Sequence, residues 1–331
     1  MNTYDTSGHI QVPVTYSWNI TVEQELTKSL VLRIGYVAAH SSHLFLAQQL
    51  NPATYIPGST LGTDQRRHYP GFTNIGEWDS TGNESYQSLQ LTLQQRVNRG
   101  LSVMANYTFS KALDTLPYLT VDTTPSSGPG APYVYPIYQP NFKALDVGPT
   151  DFDRRSVFSG SYLWAFPSLE GGARILRAVV NGWQVTGIFQ IETGAPITIT
   201  AGKDVSMTGL NQDRALYNGQ KAYGPGACNT TASCKNYLNP TAFALPTTGN
   251  FGNVVKGSFR GPGYFDWDPG LMRSFPLVKE ALRLEFRAEY FNLINHTNFA
   301  APVSAVSSAG FGSITSASDP RIGQLSAKLM F

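Results

Sequence analysis

The sequence predicts an all-β fold, an antiparallel transmembrane β-barrel wall of about nine strands with long extracellular loops and short periplasmic turns. Three observations predict it. Nine segments alternate apolar and polar residues with a period of two, the links between them alternate in length, and aromatic residues gather near strand ends. The strands are expected at residues 12–26, 30–40, 85–97, 101–111, 154–166, 181–193, 264–276, 281–292 and 321–331, within one partial barrel domain, 1–331.

The composition favours strands and long loops over helices. Charged residues make up 14% of the chain, against roughly 25% in a typical soluble domain, while Tyr (17), Phe (18), Gly (31) and Pro (21) are abundant. The formal charge is only +2, without the excess of basic residues that is typical of nucleic-acid-binding proteins, so we expect no nucleic-acid partner. No run approaches the roughly 20 apolar residues of a membrane helix, which excludes helical insertion.

The first strands show the two-residue period clearly. In "SWNITVEQEL", Trp18, Ile20 and Val22 point to one face while Asn19 and Thr21 point to the other. "LVLRIGYVA" follows after "TKS" and completes a hairpin. The next pair, "SLQLTLQQR" and "LSVMANYTFSK", has an uncharged polar face.

The stretch "ALRLEFRAEYFNL" has one apolar face and one ionic face. Its charged row is Arg283, Glu285, Arg287 and Glu289. A soluble antiparallel sheet with its charged side in water is one interpretation. The other is a barrel in which the apolar face meets lipid and the charged row lines a wet lumen, which requires the sheet to close so that every backbone group finds a partner.

The lengths of the links favour the barrel. Links after every second strand are short, although "PSLEGGARILRAVV" is long enough for one helical turn. The alternate links, 41–84, 112–153, 194–263 and 293–320, far exceed the roughly 15 residues beyond which structureless loops are uncommon. In a meander every second link emerges at the same rim, so the long links share the extracellular side, where exposed irregular backbone is expected.

Aromatic residues near the strand ends point the same way. They are Trp18, Tyr107, Phe109, Trp164, Phe166, Trp183, Phe275 and Tyr290. Outer-membrane barrels carry such girdles at both interfaces. An aromatic-rich core of a soluble sandwich is the alternative.

The two cysteines, Cys228 and Cys234 in "GACNTTASCKNY", are too widely spaced for a C-x-x-C site, and no histidine lies nearby to complete a metal set. We expect a small disulfide that closes a loop in an oxidising compartment, with two free thiols as the alternative.

The sequence contains no catalytic constellation. Glu285 and Glu289 would lie about 13 Å apart along a strand, outside the roughly 5–9.5 Å of paired glycosidase carboxylates. His40 and His43 in "HSSH" are expected in a solvated loop. No nucleophile elbow, phosphate loop or zinc-binding H-E-x-x-H is present, so we expect neither an enzyme nor a cofactor nor a metal.

The motif "DFDRR" stands where a long link re-enters the wall. Its charged residues are Asp151, Asp153, Arg154 and Arg155. We expect a salt-bridge cluster at the rim, with a ligand contact as the alternative.

Several motifs, in order, resemble the C-terminal end of TonB-dependent receptors of the Oar-like group. They are "SYQSLQLTLQQRVNRGLSVMANYTFSKALD", "TDFDRRSVFSGSYLWAFP", "NGWQVTGIFQIETGAPITI", "ALRLEFRAEYFNLINHTNF" and "FGSITSASDPRIGQLSAKLMF". The resemblance is dense over 85–331 and looser over 10–40.

The resemblance implies a barrel of about 22 strands around a plug, located in the outer membrane of a Gram-negative bacterium. Such a receptor imports a substrate, here unidentified but of a class such as oligosaccharides or peptides, with energy from a TonB complex that contacts the plug. Outer-membrane lipid would surround it. The terminal strand, with Leu325, Ala327, Leu329 and Phe331, matches the one that the barrel-assembly machinery reads in this family.

The chain departs from the family pattern in lacking a plug, a TonB-contacting segment and a signal peptide. An odd number of strands would also need a parallel seam to close, so nine strands are expected to be the last nine of a larger barrel. Capture is expected in the loops, where "PYVYPIYQP" (132–140) is the best candidate for stacking on a sugar or peptide, with ordinary loop packing as the preferred interpretation of that segment. An adhesin or structural barrel without transport, and a soluble β-rich binding module, are the alternatives.

Overall fold

The computed structural model of this chain describes residues 2–4, 10–115, 145–210, 213–224, 228, 234–278 and 282–331. Across those ranges, nine long strands form a single antiparallel meander, in which each strand pairs with the next one along the chain. They are β1 (Val14–Thr27), β2 (Leu30–Gln49), β3 (Gly76–Asn98), β4 (Leu101–Asp114), β5 (Ser156–Ala165), β6 (Trp183–Glu192), β7 (Tyr264–Val278), β8 (Leu282–Phe291) and β9 (Ile322–Met330). The predicted all-β antiparallel fold is confirmed.

Shorter elements decorate the links. One helix, α1 (Arg174–Val180), lies between β5 and β6, and 3₁₀ turns span Asp64–Arg66 and Pro240–Ala242. Short strands pair Pro196–Ile197 with Phe259–Arg260 and Leu216–Tyr217 with Phe243–Ala244, while Gly148–Pro149 extends β4 and Asn2–Tyr4 runs parallel to the start of β3. Among the described residues, no helix has the length and apolarity needed to cross a membrane.

Three strands extend at least three residues beyond the bounds that the sequence pattern predicts. β2 continues past residue 40 to Gln49, and β3 begins at Gly76 rather than 85, because Gln49 pairs with Gly76 and the ladder resumes beyond two register shifts near Leu44. Such bulges break the two-residue alternation that marks a strand in sequence. His40 and His43 therefore lie inside β2, and the expectation of a loop there is wrong; His43 has a φ of 60° at the bulge. β4 likewise ends at Asp114 instead of 111.

The register separates two faces. One row crosses seven strands through Val22, Ile34, Leu91, Tyr107, Phe158, Ile191 and Phe265. The adjacent row crosses the same strands through Glu23, Arg33, Thr92, Asn106, Ser159, Gln190 and Asp266. Since successive residues of a strand point to opposite sides, the sheet has a continuous apolar face and a continuous polar face.

Tight geometry fixes the sheet at two points. Arg99 and Gly100 both have positive φ, 51° and 82°, which is the backbone of a two-residue hairpin turn whose twist matches that of the strands. A Cβ on Gly100 would lie 2.3 Å from the Ala165 carbonyl oxygen, so β5 passes close to this turn. On the apolar face, the Phe189 ring covers Gly160 directly across the ladder.

Candidate functional site at the outer rim

The sequence suggested that the long link 194–263 consists of exposed irregular backbone, but the structure shows a packed arrangement. The described residues of this link, together with 293–320, form a packed unit, named here the outer-loop domain. The buried cluster at its centre comprises Ile197, Ile199, Ala215, Ala222, Leu238, Ala242, Phe243, Val254, Phe259 and Phe311. The expectation was wrong because these apolar residues are scattered along the links without a period and meet only in three dimensions.

Phe243 organises that cluster. Its ring lies 5.0 Å from the Phe259 ring, 5.3 Å from Tyr217 and 5.7 Å from Phe311, mostly edge to face. Phe311 comes from the link after β8, so the two links share one core. Edge-to-face aromatic pairs of this kind add stability beyond simple burial.

Buried ion pairs attach the outer-loop domain to the wall. Lys256 pairs with Asp114 at the end of β4, and both side chains are almost fully buried. Arg214 pairs with Asp146, which lies in the link between β4 and β5, and both side chains are largely buried. A buried charge is costly without its partner. These pairs therefore favour one position of the outer-loop domain on the sheet.

The residues of "DFDRR" do not form one cluster among themselves. The fully buried Asp153 carboxylate pairs with Arg260 of the outer-loop domain and accepts a hydrogen bond from the Ala112 backbone N–H at 2.8 Å. Arg154 lies 3.4 Å from the Glu192 carboxylate at the end of β6. The charged residues predicted to form one rim cluster therefore pair separately, Asp153 with the outer-loop domain and Arg154 with the wall.

The remaining two residues of this motif have other partners. The Arg155 guanidinium stacks 4.4 Å from the centre of the Phe109 ring. The backbone carbonyl of Asp151 accepts a weak hydrogen bond from Arg154 at 3.4 Å. Arg155 therefore belongs to the apolar side of the rim, and Arg154 to the polar side.

Polar side chains fold the link between β2 and β3, residues 50–75, on itself and join it to the outer-loop domain. The Asn51 amide donates to the carbonyls of Tyr69, Phe72 and Thr73, all within this link. Arg66 donates to the carbonyls of Thr54 and, across 141 residues of chain, Met207. The bond from Arg66 to Met207 therefore joins the two links.

The charged row of β8 lies on the polar face. Arg287 Nε donates to Glu285 Oε1 at 2.5 Å, and Glu285 stands opposite Lys328 of β9. Arg283 and Glu289 stand opposite Met330 and Gln324. Positive and negative side chains therefore alternate along the polar face of β8.

The predicted terminal strand lies at the edge of the sheet. Leu325, Ala327 and Leu329 continue the apolar face from Ala288, Phe286 and Leu284. Leu325 and Leu329 are 72% and 52% exposed, and Phe331 follows the strand fully exposed. This side of β9 offers a hydrocarbon surface to its surroundings.

An aromatic cavity of about 460 Å³ opens where the outer-loop domain meets β6 and β7. Its aromatic lining consists of Tyr223, Tyr237, Tyr264, Phe265, His296 and Phe299, with Glu192 at the edge. Tyr223 and Tyr237 pack edge to face at 5.7 Å. Both hydroxyls donate to the Arg260 carbonyl, at 3.2 and 3.1 Å.

Burial raises the pKa of Tyr237 to about 12, and the neighbouring Tyr223 adds to the shift. The phenol therefore stays protonated and remains a hydrogen-bond donor. The disulfide between Cys228 and Cys234, whose Cα atoms lie 4.8 Å apart, lies beside the cavity. The sequence reasoning missed this cavity, although a tyrosine stands near each cysteine; the favoured segment, 132–140, lies outside the described residues.

A second cavity, of about 440 Å³, lies on the polar face. Met104, Leu163 and Ile188 line it beside the carboxylates of Asp268 and Glu289. The part of the chain that the structure covers holds no cluster of His, Cys, Asp or Glu suited to a metal ion. Both cavities combine apolar walls with polar side chains.

Comparisons with known proteins agree with this architecture. The family described as "Outer membrane beta barrel domain" matches residues 1–324. Among solved structures, the outer membrane transporter YddB from Escherichia coli is 12% identical to this chain, with a TM-score of 0.51. The alignment covers 97% of this chain and 33% of the YddB chain. The FrpB iron transporter from Neisseria meningitidis is 12% identical, with a TM-score of 0.41, and the alignment covers 99% of this chain and 33% of the FrpB chain.

The chain thus spans about a third of the length of these solved structures. A comparison with curated protein sequences found no significant match. The family match and the two-faced meander agree on one location, the outer membrane of a Gram-negative bacterium. The chain belongs to the outer membrane β-barrel domain family.

Proposed function

We propose that the chain forms part of the wall of a TonB-dependent receptor that imports an unidentified substrate of the oligosaccharide or peptide class. In this proposal, the long-loop rim faces outward and the outer-loop domain captures the substrate. The polar face then lines the path inward. No catalytic step is part of the proposal.

The aromatic cavity at the outer rim carries this proposal. Its walls combine tyrosine rings with the Glu192 carboxylate, and binding sites commonly pair apolar rings with a few polar groups that fix orientation. Rings of this kind pack against the apolar faces of sugars or against peptide side chains. The Tyr223 and Tyr237 hydroxyls are held by Arg260, so the two rings are fixed before a ligand arrives.

The polar face supports passage. The row from Glu23 to Asp266 is polar at every position, which suits a water-filled lumen. Following the resemblance, the energy would come from a TonB complex through a plug domain, and the barrel-assembly machinery would insert the wall by its terminal strand. The Oar-like subgroup is part of the same proposal.

Growth and uptake comparisons test the proposal. Cells that lack the gene, cells that lack TonB and wild-type cells are each given labelled oligosaccharides and peptides. We expect at least one compound to enter only when both genes are present. Uptake of every compound unaffected by loss of either gene would contradict the proposal.

A surface adhesin or structural barrel is the second candidate. The Lys256–Asp114 and Arg260–Asp153 pairs favour it, because they hold the outer-loop domain firmly on the wall. This candidate predicts that deletion of the gene changes cell attachment and leaves uptake unchanged.

A further inference from the structure

Helix α1, on the short-turn side of the sheet, exposes four large apolar side chains. Ile175 is 79% exposed, Val179 58%, Leu176 51% and Val180 37%. The helix is seven residues long and is not packed into the buried core of the outer-loop domain. Contiguous exposed apolar residues of this kind mark a contact with something outside the chain.

The sequence of α1 is amphipathic. At about 100° per residue, Ile175, Leu176, Val179 and Val180 fall within an arc of about 140°. Arg174 and Arg177 fall on the opposite side. An apolar arc with basic residues on the other face is the pattern of helices that lie in a membrane interface.

Two side chains of the apolar sheet face hold α1 in place. The Val179 carbonyl accepts a hydrogen bond from the Trp183 indole N–H at 2.9 Å and another from Arg273 Nη1 at 2.6 Å. Trp183 and Arg273 face each other across β6 and β7. The Arg273 guanidinium also lies 4.3 Å from the centre of the Phe275 ring. The helix is thus joined directly to the lipid-facing side of the wall.

This position corresponds to the inner boundary of the membrane. Short turns of outer-membrane barrels are periplasmic, and tryptophan side chains concentrate at membrane interfaces. The apolar surface of α1 is therefore continuous with the surface that β6 and β7 present to lipid. A lipid surface covers both without a further partner.

We propose that α1 lies in the headgroup region of the periplasmic leaflet. Ile175, Leu176 and Val179 enter the acyl-chain boundary, and Arg174 and Arg177 bind phospholipid phosphates. The helix anchors the wall at one side and attracts anionic phospholipid to this short turn. This inference does not depend on transport.

Spin labels on single cysteines test the position of α1. The full chain is inserted into vesicles of phosphatidylcholine and phosphatidylglycerol with Ile175→Cys, and matched labels are placed at Glu170→Cys in the same link and Leu325→Cys on the lipid-facing edge. The native cysteines are joined as a disulfide and do not react with the label.

We expect the Ile175 label to collide with oxygen more than with a water-soluble nickel chelate, as the Leu325 label does, and the Glu170 label to show the reverse. An Ile175 label as accessible to nickel as the Glu170 label would overturn the proposal. An Ile175 label shielded from both reagents would also overturn it, because a protein partner or a second copy would then cover α1.

The arginines are tested separately with spin-labelled phosphatidylglycerol. We expect Arg174→Gln and Arg177→Gln each to weaken retention of this lipid about fivefold, since one arginine near an anionic surface contributes on that scale. A matched change at Arg283, on the polar face, leaves retention unchanged. Equal retention in all variants would overturn the assignment of phosphate binding to α1.

Discussion

Lys256 forms a buried ion pair with Asp114 although 142 residues separate them in the chain. Their side chains are 2% and 9% exposed. The pair joins the outer-loop domain to the last residue of β4, on the polar side of the wall. The long link is therefore part of the architecture of the rim.

Replacement of Lys256 should loosen the outer-loop domain. Lys256→Met leaves the Asp114 carboxylate without its ammonium partner, and loss of one member of a buried pair costs about 3–5 kcal/mol. We expect faster hydrogen exchange throughout the described part of 194–263, while the strands keep their protection. Lys221→Met, at an exposed position in the same link, is the matched control and should change little; equal exchange in both variants would contradict this role.

The aromatic core predicts a second effect. Phe243→Ala removes the ring that contacts Phe259, Phe311 and Tyr217, so the outer-loop domain should lose about 3–5 kcal/mol. Leu216→Ala, in the neighbouring short strand, removes a 39% exposed side chain and should cost less than half as much. Protease digestion of intact cells measures the difference: the Phe243 variant should be cut in the outer loops first. Equal resistance of the two variants would show that the core does not hold the links together.

The two faces predict opposite responses at adjacent positions of β9. Leu325→Arg places a charge on the lipid-facing side, where it costs about 2–4 kcal/mol near the midplane. Ser326→Arg places the same charge on the polar face beside Arg287, where water hydrates it. Urea unfolding from vesicles should separate the variants, with only the Leu325 variant strongly destabilised. A larger loss for Ser326→Arg would reverse the assignment of the faces.

The raised pKa of Tyr237 gives a prediction about alkaline pH. The folded protein holds this phenolic proton more tightly than the unfolded chain, whose tyrosines titrate near pH 10. The stabilisation is therefore complete below about pH 10 and is lost as the pH rises towards about 12. Subtracting the ultraviolet titration of Tyr237→Phe from that of the native chain should reveal one phenol titrating near pH 12, and near pH 10 in denaturant. A difference centred near pH 10 in the folded protein would contradict the burial of this hydroxyl.

The sequence was sufficient for the sheet because the two-residue period is local. Residues 282–291 alternate without interruption, and the structure forms β8 from them. The extensions of β2 to Gln49 and of β3 back to Gly76 could not be read, because bulges and polar residues obscure the period there. Arg273 was missed for a similar reason: it breaks the apolar face, where the rings of Phe275 and Trp183 and the Val179 carbonyl accommodate it.

The site at the outer rim could not be predicted from the sequence, for a different reason. Lys256 and Asp114, or Tyr237 and Phe299, are brought together by long-range packing, and no spacing in the sequence encodes such a contact. The motif "DFDRR" did mark the rim, yet the partner of Asp153 is Arg260, 107 residues away. Burial of scattered residues such as Ile199 and Leu238 is likewise visible only in the folded chain.

A cysteine scan of β8 in outer membranes, read with brominated lipids, tests the central claim most directly. Cysteines are placed one at a time from Arg283 to Tyr290 and labelled with a fluorophore. The account predicts that lipid bromine quenches the fluorescence at Leu284, Phe286, Ala288 and Tyr290, and leaves it unchanged at Arg283, Glu285, Arg287 and Glu289. Quenching at neither set, or equally at both, would show that this sheet does not separate lipid from a wet lumen.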